Sequence, residues 1–359
     1  MELKGNIYYN NEFHKGILSI ENGIITDINF VPVASDDYIV PGFIDTHFHG
    51  CDGADFSDGS IEGLRTIARY QKHHGVVGIC PATMTIEKED ITKACHVAAA
   101  FCKEENKDDC ASLLGVYIEG PFISPKKCGA QRTDCILPPS EELVRELMEA
   151  SDNLVKVIAL APEMEGSQDF IKKVKMKYPW VHISLAHTMA DYDVARQAMK
   201  NGADRLTHYY NAMEHYDEIG RAFVKEAGGY AELICDGIHN DTDRILNAFK
   251  LFGADRIILI SDSMRATGKG DGKYTLGGQK VTVNGRLATL DNGAKAGSVS
   301  NLFDCFKVAV EMGVPLADAL RAVSENPAKS IGVFDRLGGI EKGKESKILV
   351  LDKKLNIKM

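Results

Sequence analysis

No stretch of this 359-residue chain comes near the ~20 consecutive apolar residues of a membrane-spanning helix. Its opening, MELKGNIYYN, lacks the apolar centre of a secretion signal, so the expected location is the cytoplasm. Positive charge is in deficit as well. A net charge of −9 leaves no whole-molecule field to attract a nucleic acid or an anionic membrane, and an anionic substrate would need a local basic pocket. Nine cysteines include no C-x-x-C pair, which argues against a disulfide framework and fits thiols kept reduced. Cys51, close behind a pair of histidines, reads as a small buried residue rather than a metal ligand. Low-complexity segments and internal repeats are missing, and 44% hydrophobic with 26% charged residues excludes a disordered chain.

What the chain does have is alternation. Short apolar runs, each followed by a polar or Gly/Pro break and a stretch of helical spacing, recur in a pattern that signals βα units and a parallel sheet. The candidate strands are YIVPGFID, VVGICPATM, SLLGVYIEG, VKVIALAPE, HISLAHT, RLTHYY, AELICDGIH and RIILISDS. Eight is the count of a closed barrel, and a barrel alone takes roughly 250 residues, so the length suggests a barrel plus something small. The expected fold is α/β: a (β/α)8 TIM-like barrel over 41–335 with a small β-sandwich domain formed by the terminal segments, 1–40 and 336–359. In the first forty residues NIYY, FHKGILSI and ENGIITDINF read as short strands with a hairpin turn at Glu21-Asn22-Gly23. Beyond the eighth strand, Gly-Gly and Asn-Gly breaks suggest a β-hairpin insertion near 273–291. In PLADALRAVSENPAKSIGV the spacing puts Leu316, Leu320 and Val323 on one helix face, with Asn326 capping a new turn at Pro327.

Side chains along a strand alternate faces, so His47 and His49 of PGFIDTHFHG point the same way, into the barrel when Ile44 and Phe48 face the helices. Nearly every other strand also ends in a polar residue suited to ligation or proton transfer: Glu119, His187, His208, His239 and Asp262. The carboxy-terminal rim of a barrel gathers such residues, and it is where barrel enzymes keep their active sites. Imidazole and carboxylate together suit zinc or a comparable divalent ion, which points to metal-assisted hydrolysis. His14, His73, His74 and His96 fall away from the rim and read as surface residues. Glu163 reads as a loop brace, and His215 as a solvated loop residue.

PGFIDTHFHG, the aspartate of SDSMRATG and the histidines ending the fifth and sixth strands resemble the amidohydrolase superfamily. YIEGPFISPKKCGAQ, LAPE, SLAHT, THYYNAM, DGIHN, SDSMRATG and the ENPAKSIG helix are similar, more narrowly, to the N-acetylglucosamine-6-phosphate deacetylase family, from about residue 40 to the end. The resemblance implies that Glu119 stands where many superfamily members have a carbamylated lysine, the fourth strand here ending in LAPE with no lysine at its tip. It implies one ion position at Glu119, His187 and His208, and a second at His47, His49 and Asp262. One or two divalent ions per subunit are expected, zinc foremost, with iron, nickel, cobalt and manganese also compatible. Asp262 is the expected general base, taking a proton from water and returning it to the departing nitrogen.

By the same resemblance, the phosphate of a sugar phosphate substrate falls to Asn211, the Ala212 amide, His239 and an arginine, here Arg221. That arginine reaches across from a neighbouring subunit in the family, which implies a homodimer. Ala130, Gln131 and Ser298 are expected on the sugar and acetyl side. Gln131 replaces a histidine that some relatives carry, and it cannot be cationic. Two other readings stay open. The first is a deacetylase for another N-acyl compound, such as an N-acetyl amino acid or a different hexosamine phosphate. The second is a non-catalytic barrel scaffold, which the retention of every expected ligand opposes.

Overall fold

Two tight turns shape the amino-terminal sheet. Asn10 and Asn11 (φ 49° and 63°) and Asn22 and Gly23 (φ 50° and 77°) all adopt left-handed backbone, the two-residue hairpin geometry that matches strand twist. In this computed structural model, which describes residues 1–104 and 108–358, the turns fold Glu2–Tyr9 onto Glu12–Glu21, and that strand onto Ile24–Asn29. Tyr38–Pro41 joins the other edge in parallel with Glu2–Tyr9, and Ile348–Leu351 pairs antiparallel with it. The chain ends therefore meet in one five-stranded sheet, packed on a small core of Ile7, Leu18, Ile20, Ile25, Ile39 and Ile340.

The run YIVPGFID, expected as a single barrel strand, divides at Gly42. Tyr38–Pro41 stays in the terminal sheet, and Phe43–Asp45 opens the barrel. Gly42 donates its amide to the Lys347 carbonyl at 2.8 Å, and a Cβ there would stand 2.3 Å from a Val77 methyl. Only glycine lets the chain pass between the two sheets at that point.

The barrel proceeds in chain order. Phe43–Asp45 pairs in parallel with Val76–Ile79, whose continuation Ala82–Thr83 pairs with Val116–Glu119. Val155–Leu160, His182–Leu185, Arg205–Leu206, Tyr230–Ile234 and Ile257–Ile260 follow, each parallel to the one before. Closure comes where the last strand meets the first: Asp262 donates its amide to the His47 carbonyl at 3.1 Å, and the Ser261 hydroxyl donates to Asp45 at 2.5 Å. Helices with one apolar face cover the outside and supply most of the hydrophobic core.

The insertion is larger than one hairpin. Gly272–Leu276, Gln279–Asn284 and Leu287–Leu290 make a three-stranded antiparallel sheet that leans on the barrel mouth, where Gln279 donates its side-chain amide to the Ala130 carbonyl at 2.5 Å. Asn326 is not a cap. Ser324 precedes the helix Glu325–Ser330, and the Asn326 amide lies inside it, donating to the carbonyls of Ala254 and Ile257 at 2.8 and 2.7 Å and tying the helix to the start of the eighth strand. Among the described residues no helix is long and apolar enough to cross a membrane.

Candidate active site

Strand geometry brings the polar residues together. Glu119 is the last residue of its strand, while His47, His187, His208 and Asp262 each come two residues after theirs. His187 (φ 44°), His208 (φ 29°) and Asp262 (φ 47°) have left-handed backbone, which costs a non-glycine residue roughly 1–2 kcal/mol. Three such residues at one barrel rim mark a site where the chain is bent to aim side chains inward rather than to relax.

Glu119 is the centre of the cluster. Its Oε1 lies 3.2 Å from His187 Nε2, 2.9 Å from His208 Nε2 and 3.5 Å from His47 Nε2. Its Oε2 lies 3.1 Å from His49 Nε2, which is also 3.3 Å from Asp262 Oδ1. The other ring nitrogen of every histidine is already engaged. Nδ1 of His49, His187 and His208 meets the carbonyls of Ala82, Lys127 and Asn211 at 3.2, 2.9 and 3.1 Å, and Nδ1 of His47 meets Glu232 at 2.9 Å. These partners hold a proton on Nδ1 and leave the four Nε2 atoms converging on two carboxylates.

That donor set fits divalent ions. Within each of the triads His47, His49, Asp262 and Glu119, His187, His208, the ligand atoms lie within 4.8 Å of one another, and all six residues are buried. His47 Nε2 is buried with no hydrogen-bond partner, a costly state for a polar atom that no cation satisfies. The electrostatics agree. Burial opposes the charge of Glu119, yet His47, His187 and His208 outweigh it and hold the carboxyl well below the usual range. Burial likewise opposes charge on His49, but Asp262 and Glu119 push that imidazole up to about 10. Asp262 is held low by His49 and His47 against its own burial.

A cavity of about 350 Å³ opens above the cluster. Glu119, His49, His187, His208 and Asp262 form its floor, and Ala130, Gln131, Asn211, Ala212 and His239 line it too. His47 lies beneath, fully buried. Gln131 donates to Glu119 Oε2 at 2.7 Å and accepts from the Thr85 amide at 2.6 Å, so it braces the carboxylate. Ser298 is buried behind Gly297, which lines the cavity; its hydroxyl accepts the Ser300 amide, and its own amide donates to the Asp262 carbonyl at 2.8 Å. Arg221 sits on the exposed side of the helix Tyr216–Glu226, outside the lining. Glu163 accepts from the Thr188 hydroxyl and the Met189 amide at 2.5 and 2.7 Å, stapling the loop behind His187. Cys51 is buried, its thiol directed at the Ile67 carbonyl.

Sequence reasoning missed the local cations. Lys126, Lys127 and Lys295 line the cavity of this acidic protein, Lys127 paired with Glu214 and Lys295 donating to the Ile238 carbonyl at 2.6 Å. The Lys-Lys pair in the loop after Glu119 was a visible signal. Lys295 had none, since only the insertion's fold brings it over the mouth.

Residues 38–359 match the Amidohydrolase family. The chain is 37% identical over 328 residues to the N-acetylglucosamine-6-phosphate deacetylase of Bacillus subtilis (strain 168), covering 89% of this chain and 82% of that one. It is 32% identical over 349 residues to the N-acetylgalactosamine-6-phosphate deacetylase of Escherichia coli O157:H7, covering 95% and 91%. Among solved structures, a mutant N-acetyl-D-glucosamine-6-phosphate deacetylase of Mycobacterium smegmatis in complex with N-acetyl-D-glucosamine-6-phosphate superposes with a TM-score of 0.92 at 26% identity, covering 99% of this chain and 96% of that one. The Thermotoga maritima deacetylase gives 0.89 at 28%, covering 99% and 96%. With a glutamate and four imidazoles gathered at a barrel mouth and likeness along nearly its whole length, this chain belongs to the amidohydrolase family, in the branch of the N-acetylglucosamine-6-phosphate deacetylases.

Proposed function

We propose that this chain hydrolyses the acetamide of N-acetylglucosamine-6-phosphate to glucosamine-6-phosphate and acetate, in the cytoplasm, as a step of amino-sugar recycling. The observation that carries the reading is the convergence of His187, His208, His47 and His49 on Glu119, under a cavity whose rim holds three lysines.

Glu119, His187 and His208 would hold one ion, and His47, His49 and Asp262 a second, zinc being the first candidate for these hard and borderline donors. Bound there, a divalent ion would supply Lewis acidity, polarising the acetamide carbonyl and making water more acidic. Asp262, at the cavity floor, accepts the proton of the attacking water and passes it to the glucosamine nitrogen as the C–N bond breaks. His49 keeps Asp262 ionised and oriented from 3.3 Å. Gln131 and the Thr85 amide behind it keep Glu119 in place.

Asn211, Ala212 and His239 also line the cavity and would receive the phosphate, with Lys126 and Lys295 supplying charge. Asp236 takes Nδ1 of His239 at 2.8 Å, so Nε2 is the ring nitrogen left for a ligand. Arg221, exposed on its helix, is available to a neighbouring copy in a homodimer.

The relative acting on N-acetylgalactosamine-6-phosphate supports a second reading, in which the sugar is the other 4-epimer. One assay separates the readings: acetate release from both phosphorylated epimers, from unphosphorylated N-acetylglucosamine and from an N-acetyl amino acid, with and without chelator. Preference for N-acetylglucosamine-6-phosphate, abolished by chelator, is the expected result. Equal rates on the unphosphorylated sugar would remove the phosphate from the proposal, and no hydrolysis by ion-loaded protein would remove the enzyme.

A further inference from the structure

Beneath the ion-binding cluster lie two charges that the hydrolysis does not use. Arg205 is 1% exposed and Glu232 fully buried, on neighbouring barrel strands. Glu232 divides its oxygens: Oε1 accepts from Arg205 Nε at 2.7 Å, and Oε2 meets His47 Nδ1 at 2.9 Å. Arg205 is clamped in turn, donating to the Thr46 hydroxyl at 2.9 Å and the Ser330 hydroxyl at 3.4 Å. Tyr117 completes the setting, with its hydroxyl 3.4 Å from Glu232 Oε2 and its ring 4.3 Å from that of His47.

Stability does not account for this pair. Two buried ions lose several kcal/mol of hydration each, and apolar side chains of similar size would serve a barrel core as well or better. The pair does achieve something at His47. An ionised carboxylate on Nδ1 fixes the tautomer, the ring plane and the basicity of Nε2, as partners behind metal-bound histidines do. His49, His187 and His208 have only backbone carbonyls in that place. His47 alone faces a full charge, and it belongs to one of the two triads, not to both.

We propose that the Arg205–Glu232 pair is a positioning device that sets the ion affinity of the His47–His49–Asp262 triad, leaving the Glu119–His187–His208 triad largely unaffected. Ion occupancy of the second position is thereby written into strands six and seven, away from the substrate. The inference rests on reading the six donors as two ion positions.

The test uses full-length protein stripped with chelator and titrated with cobalt, bound ions counted by equilibrium dialysis and followed by the cobalt visible spectrum. Wild type is expected to take up two ions. Glu232→Gln should bind the first as wild type does and the second 10–100-fold more weakly, with Glu232→Asp in between. Because Glu232→Gln strands Arg205 as a buried unpaired charge and so destabilises the fold, the double variant Arg205→Met/Glu232→Leu removes both charges; it should melt at or above wild type yet keep the weakened second position. A folded double variant that binds both ions like wild type overturns the positioning role alone. Wild type that binds one ion overturns the second position, and wild type that binds none overturns the metal reading itself.

Discussion

Gln131 donates its side-chain amide to Oε2 of Glu119 at 2.7 Å. Family resemblance implies a sugar contact for this residue, but its oxygen also accepts the Thr85 amide at 2.6 Å, so both ends are engaged in holding the carboxylate. Gln131→Ala should therefore weaken ion binding and lower kcat by about 10–100-fold, as losses behind a metal ligand do, with little change in KM. Dialysis against graded chelator alongside steady-state kinetics checks this. A raised KM with intact kcat and ion content would return Gln131 to the sugar.

Asp262 combines a ligand's position with a base's exposure, 7% against none for His47. Asp262→Asn keeps an oxygen donor but cannot take a proton. Turnover is expected to fall by roughly two to four orders of magnitude while most of the bound metal remains. Metal analysis and kcat on the same preparation decide it; activity within tenfold of wild type would assign the base elsewhere.

The strand-end residues were legible because a polar group closing an apolar run has one location in a parallel barrel, the rim. What stayed hidden depends on register or on chain folding back. Arg205 and Glu232 are visible as charges in apolar runs, but their pairing with each other and with His47 requires knowing which strand residues lie side by side. Gly42 breaks a run that hydrophobicity alone would keep whole, because its role is a backbone contact with Lys347 and a clearance from Val77. Asn326 looks like a cap in sequence, and it becomes a buried link only because the barrel places Ala254 and Ile257 within reach. Lys295 reaches the cavity through a three-stranded insertion whose docking leaves no periodic trace.

Asp236 gives a pH dependence with a definite sign. Burial opposes its charge, but His239 Nδ1 at 2.8 Å and the amides of His239 and Ile238 at 2.8 and 2.9 Å overcome it and hold the carboxyl down at about 2. The folded value is depressed below the unfolded one of about 3.9, so the stabilisation is complete above about pH 4 and is lost as pH falls toward about 2. Asp236→Asn should cost about 2 kcal/mol at neutral pH and progressively less in acid. Urea unfolding of both proteins from about pH 7 to about pH 3 measures the gap. A gap that stays constant over that range would mean the aspartate acts through hydrogen bonds alone.

The cations at the mouth must answer for an anionic substrate in a chain of net charge −9. Lys127 is already paired with Glu214, which leaves Lys126 and Lys295 as the nearer sources of uncompensated charge, beside His239 and Asn211. A charge-assisted contact to phosphate contributes about 1.5–3 kcal/mol, roughly ten- to hundredfold in affinity. Lys126→Ala/Lys295→Ala should raise KM for the phosphorylated sugar by about that factor, with kcat and the rate on unphosphorylated sugar unchanged, and the KM of wild type should rise with ionic strength while that of the variant stays flat. His239→Asn is expected to act in the same direction, and Arg221→Ala only if a second copy completes the site. If Arg221→Ala raises KM strongly while the double lysine variant does not, the phosphate is held from the neighbouring subunit and the lysines are bystanders at the rim.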